Sequence, residues 1–200
     1  MRPVGVILAG GASRRMGGGD KGLIALGGRP MLALVADRLA DQVAAVAINA
    51  NGDPARFDAF GLPVVADSVA GLPGPLAGVL AGMDWARARG ASHLVTVAAD
   101  TPFFPSDLVA RLIAGATSAR APIALAATPD GLHPTFGLWP VALRDDLAQA
   151  LHAGTRKLAA WAEGEGAVRV PFAGEDDPFF NINTPEDLEC ARARLAGGAP

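Results

Sequence analysis

Hydrophobic positions along this chain fall into short solid runs separated by longer periodic stretches. Val4-Gly5-Val6-Ile7-Leu8-Ala9 is apolar throughout and too short for anything but a buried strand. Residues 43–48, 63–66, 93–99 and 122–127 repeat that pattern and are expected as the next four strands. Between them, residues 31–41, 76–89 and 107–116 place apolar side chains at helical spacing. Near-continuously apolar strands alternating with amphipathic helices predict a three-layer α/β fold, with a mostly parallel central sheet and helices on both faces. Beyond residue 127 the pattern loosens. Residues 136–139 read as a further strand, and 141–152 and 156–162 as helices. The final helix is the best marked: Thr184 suits its cap, Pro185 its first turn, and Glu186 and Asp187 complement its dipole.

In open parallel sheets, ligands bind beyond the carboxyl ends of the strands. The residues there are Gly10 and Gly11, then Asn49, Asp67 and Asp100, a polar set in a chain rich in alanine and valine. Its 200 residues suit one α/β domain, with no internal repeat and no linker. Seventeen basic against 20 acidic residues leave a formal charge of -3, and no basic stripe follows a nucleic-acid backbone. Nucleic acid is therefore not an expected partner. The single cysteine, Cys190, rules out a disulfide framework and a thiolate zinc site, and is expected to be inert core. No apolar run reaches the ~20 residues of a membrane span, and glycines interrupt any signal-peptide core. The expectation is a soluble cytoplasmic protein with no membrane partner.

Local cations change the picture. "LAGGASRRMGGGDKG", residues 8–22, combines six glycines with Arg14, Arg15 and Lys21 in an otherwise mildly acidic protein. Gly17-Gly18-Gly19-Asp20-Lys21-Gly22 matches G-x-G-x-x-G, but begins several residues after the strand, and the second strand ends in Asn49 rather than an acid. That context is wrong for a dinucleotide fingerprint, and Gly22 after Lys21 is wrong for a Walker loop. A longer loop that wraps a nucleoside triphosphate fits better. Gly10 and Gly11 let the backbone approach a ligand closely, while Arg15 and Lys21 meet phosphates as fork and point charge. The competing reading is a surface loop kept solvated by its basic residues.

Asp100 ends "HLVTVAAD", where a carboxylate suits magnesium shared with substrate phosphates; a turn cap before Pro102 is the alternative. Asp67 in "VVADS" carries the same two readings, and Asn49 and Asn51 are either base or ribose readers or turn residues. Asn181 and Asn183 flank Ile182 in an extended segment, so both amides can face one cleft. Gly78 and Gly82 imply close packing of their helix against a neighbour. His133 reads as a structural histidine, and Arg156 and Lys157 as a solvated helix start or a second anion site. No histidine has an evident serine or cysteine partner. A reaction whose nucleophile is itself a phosphate needs none, only positioning and charge neutralisation.

"ILAGGASRRMGGGDKGL" followed by "LGGRPML" resembles the N-terminus of molybdenum cofactor guanylyltransferases of the MobA type. The resemblance continues through "INAN", "VVADS", "GPLAGVLAGM", "AADTPFFPSDL", "HPTFGLW" and "FFNINTPEDL", and so covers essentially the whole chain. It implies a Rossmann-like nucleotidyltransferase fold in one domain, residues 1–200. Residues 1–127 would form the nucleotide-binding part and 128–196 the pterin-substrate part. It implies transfer of GMP from GTP to molybdopterin, with release of pyrophosphate and with Mg²⁺ as cofactor. Leu8, Ala9, Gly10, Gly11, Lys21, Asn49, Asp67 and Asp100 would contact GTP, and Asp100 would also hold the metal. Arg15, Lys21, Asp100, Asn181 and Asn183 would surround the reaction, and His133 and Arg156 would face the pterin. The molybdenum cofactor, proteins of its biosynthesis and recipient molybdoenzymes are the implied partners. A cytidylyltransferase and a non-catalytic cofactor carrier are the rival readings.

Overall fold

The computed structural model describes residues 2–10, 20–69, 74–173 and 177–197. The first apolar run forms β1 (Val4–Leu8). A two-stranded antiparallel ribbon follows, β2 (Ala25–Leu26) and β3 (Arg29–Pro30), leading into helix α1 (Met31–Ala40). Then come β4 (Val46–Asn49), β5 (Val64–Val65), α2 (Pro75–Ala88), β6 (His93–Ala98) and α3 (Leu108–Ala119). The second half contributes the hairpin β7 (Ala124–Thr128) and β8 (Gly131–Pro140), helices α4 (Arg144–His152) and α5 (Leu158–Gly164), β9 (Val168–Pro171) and α6 (Pro185–Ala196).

Among the described residues the main sheet has seven strands in the order β5-β4-β1-β6-β8-β7-β9. β1 is parallel to both β4 and β6, with Leu8 opposite Asn49 on one side and Ala98 on the other. β8 alone runs against the rest, antiparallel to β6 and β7, while β7 and β9 are parallel. The expected mostly parallel sheet is thus the one observed.

Alternation along β1 sorts the two faces. Ile7 joins Leu32, Val35 and Leu39 of α1 and Leu112 of α3 in one core. Val4 and Val6 join Leu80 and Met83 of α2, Leu147 of α4 and Trp161 of α5 in the other. Period-two side chains on a strand covered on both faces require this division. Gly5 leaves room for α1: a Cβ there would stand 2.8 Å from Leu39 Cδ2. Trp139 is fully buried in the second core, and its indole N–H donates to Thr96 Oγ1 at 2.9 Å.

Helix α6 carries a capping box, in which Asp187 N donates to Thr184 Oγ1 at 3.1 Å and Thr184 N to Asp187 Oδ2 at 2.9 Å. Its Leu188 and Ala191 pack with Ile182, Leu26 and Met31 in a small third core. Cys190 is exposed, which corrects the expectation of a core thiol. At 100° per residue it lies 200° around the helix from Leu188, on the solvent side.

Candidate functional site

At the carboxyl end of β4, Asn49 is 4% exposed, and its amide donates to Val65 O at 3.1 Å and Asp67 Oδ1 at 2.9 Å. The Asn51 amide donates to the other oxygen, Asp67 Oδ2, at 2.7 Å, and Asp67 N donates back to Asn51 Oδ1 at 2.9 Å. Two amides therefore clamp one carboxylate between the ends of β4 and β5. The glycine of α2 that faces them, Gly78, makes the clamp possible, since a Cβ there would lie 2.3 Å from Asn49 Oδ1.

Across the end of β1, Lys21 begins a short 3-10 turn, Lys21–Leu23. Its ammonium lies 3.3 Å from Asp100 Oδ2, just beyond β6, and also donates to Asn183 Oδ1. The Lys21 and Asp100 side chains are only 17% and 20% exposed, so solvent screens the pair less than an ion pair on the surface. Gly22, next in the turn, is buried, and a Cβ there would stand 3.2 Å from Leu32 Cβ of α1. Asp20, on the other side, pairs with Arg56 Nε at 2.7 Å, and Arg56 also donates to the carbonyl of Asn51. Arg56 thus links the lysine turn to the asparagine–aspartate clamp.

The Asn181–Thr184 segment is fixed from both ends. Ile182 N donates to Asp100 O at 3.0 Å, its side chain is fully buried, and Asn183 N donates to Asp187 Oδ2 at 2.8 Å. The hydrogen bond from the Asn183 backbone N–H is the main influence holding the Asp187 carboxyl below its ordinary pKa, against a smaller opposing effect of burial. Thr184 and the Lys21 charge act in the same direction.

These groups line a cleft of about 330 Å³ at the carboxyl pole of the sheet. Leu8, Ala9, Gly10, Lys21, Asn49, Asp67, Asp100 and Asn181 all border it, and Asn183 adjoins it through Lys21. Gly11 and Arg15 lie outside the described residues. His133 and Arg156 do not line it. The His133 ring stacks on Phe179 with centroids 4.6 Å apart, and its Nε2 is 2.9 Å from Thr128 Oγ1. Burial pushes its pKa down, and the carboxylates of Asp177 and Asp130 oppose that shift only in part. Arg156 sits in the turn between α4 and α5, donating to the carbonyls of Leu151 and Thr155.

Three contributors went unread in the sequence: Arg56, through its pairing with Asp20, Asp187, beyond its place in the helix cap, and Thr135. Asn51, read there as a base or ribose reader or a turn residue, forms the second arm of the clamp. Thr135 reaches the cleft through a bulge: Leu125 pairs with Gly137 but Ala126 with His133, so residues 134–136 leave the ladder. A Gly-Pro pair, Gly74-Pro75, also borders the cleft at the start of α2. A larger cavity of about 410 Å³ lies at the opposite pole, beside Pro3, His93 and Pro140. It lacks the converging amides, carboxylates and ammonium of the first, and open α/β sheets bind ligands at the other end.

Among the described residues no cluster of three or more His, Cys, Asp or Glu side chains is placed to hold a metal. One strand-end carboxylate, Asp100, suits a magnesium ion that takes most of its ligands from water and substrate phosphates. The cleft therefore offers backbone at a glycine, amide and carboxylate groups for a polar ring, and one ammonium for an anion.

A mostly parallel α/β sheet with such a cleft beyond its carboxyl edge defines a protein built to hold a nucleotide-like ligand. The model of the MobA-like NTP transferase domain matches residues 5–168, and the chain belongs to that family. A molybdenum cofactor guanylyltransferase from Cereibacter sphaeroides is 50% identical over 195 residues, covering 98% of each chain. A second, from Bradyrhizobium sp. (strain ORS 278), is 50% identical over 196 residues, 96% of this chain and 92% of that one. In fold, the chain is similar to molybdopterin-guanine dinucleotide biosynthesis protein A from Archaeoglobus fulgidus. The TM-score is 0.77 at 23% identity, over 97% of this chain and 99% of that one.

Proposed function

We infer that this chain transfers GMP from GTP to molybdopterin, forming the guanine dinucleotide cofactor and releasing pyrophosphate. The observation that carries the reading is the Lys21 ammonium, held by Asp100 and Asn183 at the mouth of a glycine-edged cleft. The near-full-length identity to guanylyltransferases supplies the substrates.

In this reading Leu8, Ala9 and Gly10 bring backbone against the nucleotide, and Asn49 and Asp67 meet its polar edges. Gly11 and Arg15 are further phosphate contacts in this reading. The pterin's terminal phosphate attacks the α-phosphorus in line, and the bond to the β-phosphate oxygen breaks as pyrophosphate leaves. Lys21 stabilises charge gathering on the transferring group, with Asn183 fixing the direction of its ammonium. Asn181, which also borders the cleft, orients the incoming phosphate. Asp100 is the residue that would hold Mg²⁺, which when bound supplies Lewis-acid neutralisation of the phosphate oxygens. No protein nucleophile is needed, because the attacking phosphate is already anionic near neutral pH.

The two halves divide the work: residues 1–127 take the nucleotide, and 128–196 bring Thr135 and Asn181 to the pterin side. Arg156, on an exposed turn, is the anion-binding candidate of that half, whereas the contacts of His133 fit a packing role.

The test is pyrophosphate release from GTP and molybdopterin with Mg²⁺ present, beside the Asp100→Asn variant. Losing one such stabiliser is expected to cost about 3 kcal/mol of barrier, roughly a hundredfold in rate. In a parallel thermal-shift series, GTP at about 100 times its dissociation constant is expected to stabilise the fold by ~2.7 kcal/mol. CTP in its place would transfer the reading to a cytidylyltransferase, and full activity of Asp100→Asn would remove Asp100 from the mechanism.

A further inference from the structure

Lys21 and Asn183 meet although 162 residues separate them in sequence, and neither holds the other in place by itself. A four-carbon ammonium stem keeps one position only if its acceptors are themselves fixed. Asp100 is fixed by β6 and by the bond from Ile182 N to its carbonyl. Asn183 lies outside any strand or helix, so its side chain can be no better placed than its backbone.

That backbone has one anchor of its own. Asp187 Oδ2 accepts the N–H of Asn183 at 2.8 Å and that of Thr184 at 2.9 Å, two donors converging on one ionised oxygen. Only the second of these belongs to the capping box of α6; the first reaches one residue further back and has no role in the cap. We propose that Asp187 is a positioning residue for Lys21, acting through the Asn183 backbone to aim the Asn183 side-chain Oδ1 at the ammonium. The proposal rests on the guanylyltransferase reading for its catalytic consequence, but the mechanical link from Asp187 to Lys21 stands independently of it.

The geometry also separates this role from helix capping. Thr184→Ala removes the Asp187 N to Thr184 Oγ1 bond, and so half of the capping box, while leaving the Asp187 to Asn183 bond in place. Asp187→Ala removes both functions. Asp187→Asn keeps an acceptor oxygen but loses its charge, so a partial return is expected.

The chain contains only two lysines, Lys21 and Lys157, which permits a direct readout. In protein labelled with ¹⁵N at lysine, the ammonium resonance of Lys21 can be followed, with Lys157→Arg assigning the pair. In Asp187→Ala the Lys21 resonance is expected to shift and broaden, and kcat with GTP and molybdopterin to fall roughly tenfold. Thr184→Ala is expected to match the thermal destabilisation while keeping the wild-type resonance and kcat, with Asp187→Asn between the two. An unchanged Lys21 resonance in Asp187→Ala, or a Thr184→Ala variant that reproduces its changes, would overturn the proposal. If the wild type itself releases no pyrophosphate, the guanylyltransferase reading fails, while the resonance still decides the link.

Discussion

Gly78 of α2 stands so close to Asn49 that a Cβ on the glycine would fall 2.3 Å from Asn49 Oδ1 and 2.8 Å from Leu8 Cδ2. The helix therefore presses on the strand end at the one place where the clamp around Asp67 is built. Gly78→Ala is expected to push the Asn49 amide out of register with Asp67. The KM for GTP would rise about tenfold, the equivalent of 1.4 kcal/mol of lost binding, and overpacking would cost a further ~1–3 kcal/mol of stability. Steady-state kinetics beside a thermal melt measure both; an unchanged KM would show that Asn49 does not contact the nucleotide.

Arg56 joins two parts of the site, pairing with Asp20 at 2.7 Å and donating to the Asn51 carbonyl. It borders no part of the cleft itself. Arg56→Met is expected to raise the KM for GTP by about three- to tenfold while leaving kcat nearly intact, because it loosens binding elements without removing a group at the reacting phosphate. A fall in kcat at constant KM would contradict that assignment.

Thr96 accepts the buried indole N–H of Trp139 at 2.9 Å. Thr96→Val keeps the shape and deletes the acceptor, leaving a buried donor without a partner. The expected loss is about 2 kcal/mol, a fall in Tm of roughly 4–8 °C for a domain of this size. Calorimetry on the two proteins reads it directly, and activity at low temperature is expected to persist.

His133 titrates with a pKa lowered by burial, so its neutral form is the one the fold favours. Its contribution is fully present above the unfolded value near 6.5 and is lost as pH falls through the lower folded value. His133→Gln is expected to remove that component. The stability difference between wild type and variant, followed by urea melts from pH 8 to 5, is expected to move against the wild type below about pH 6.5. A difference independent of pH would show that the ring is equally exposed in both states.

Much of the architecture was readable because its cause is local. The solid run at β1, the helical spacing of α1 and α2 and the Thr184 cap each announce themselves within a few residues. β9 did not: Val168-Arg169-Val170-Pro171 is short, half exposed and ends in proline, as suits an edge strand. The ribbon of β2 and β3 is only two residues deep on each side. At the site, the strand-end residues Asn49, Asp67 and Asp100 were legible from topology alone, since the sheet dictates where its ligand side lies. Arg56, Asp187 and Thr135 were not, because their meaning depends on what each meets in space. Thr135 in particular owes its place to the register slip of β8 against β7, which no alternation of residue types announces.

The Lys21–Asn183 contact has a consequence for the making of the protein. During synthesis the central strands are all available well before residue 183 emerges, and local pairing lets a sheet form early. The ammonium then faces Asp100 alone until Asn183 is delivered and α6 docks against the ribbon. Until Asn183 and α6 have been made, the lysine lacks its second acceptor and the ribbon lacks its cover, so this corner of the cleft is the last part of the fold to be assembled.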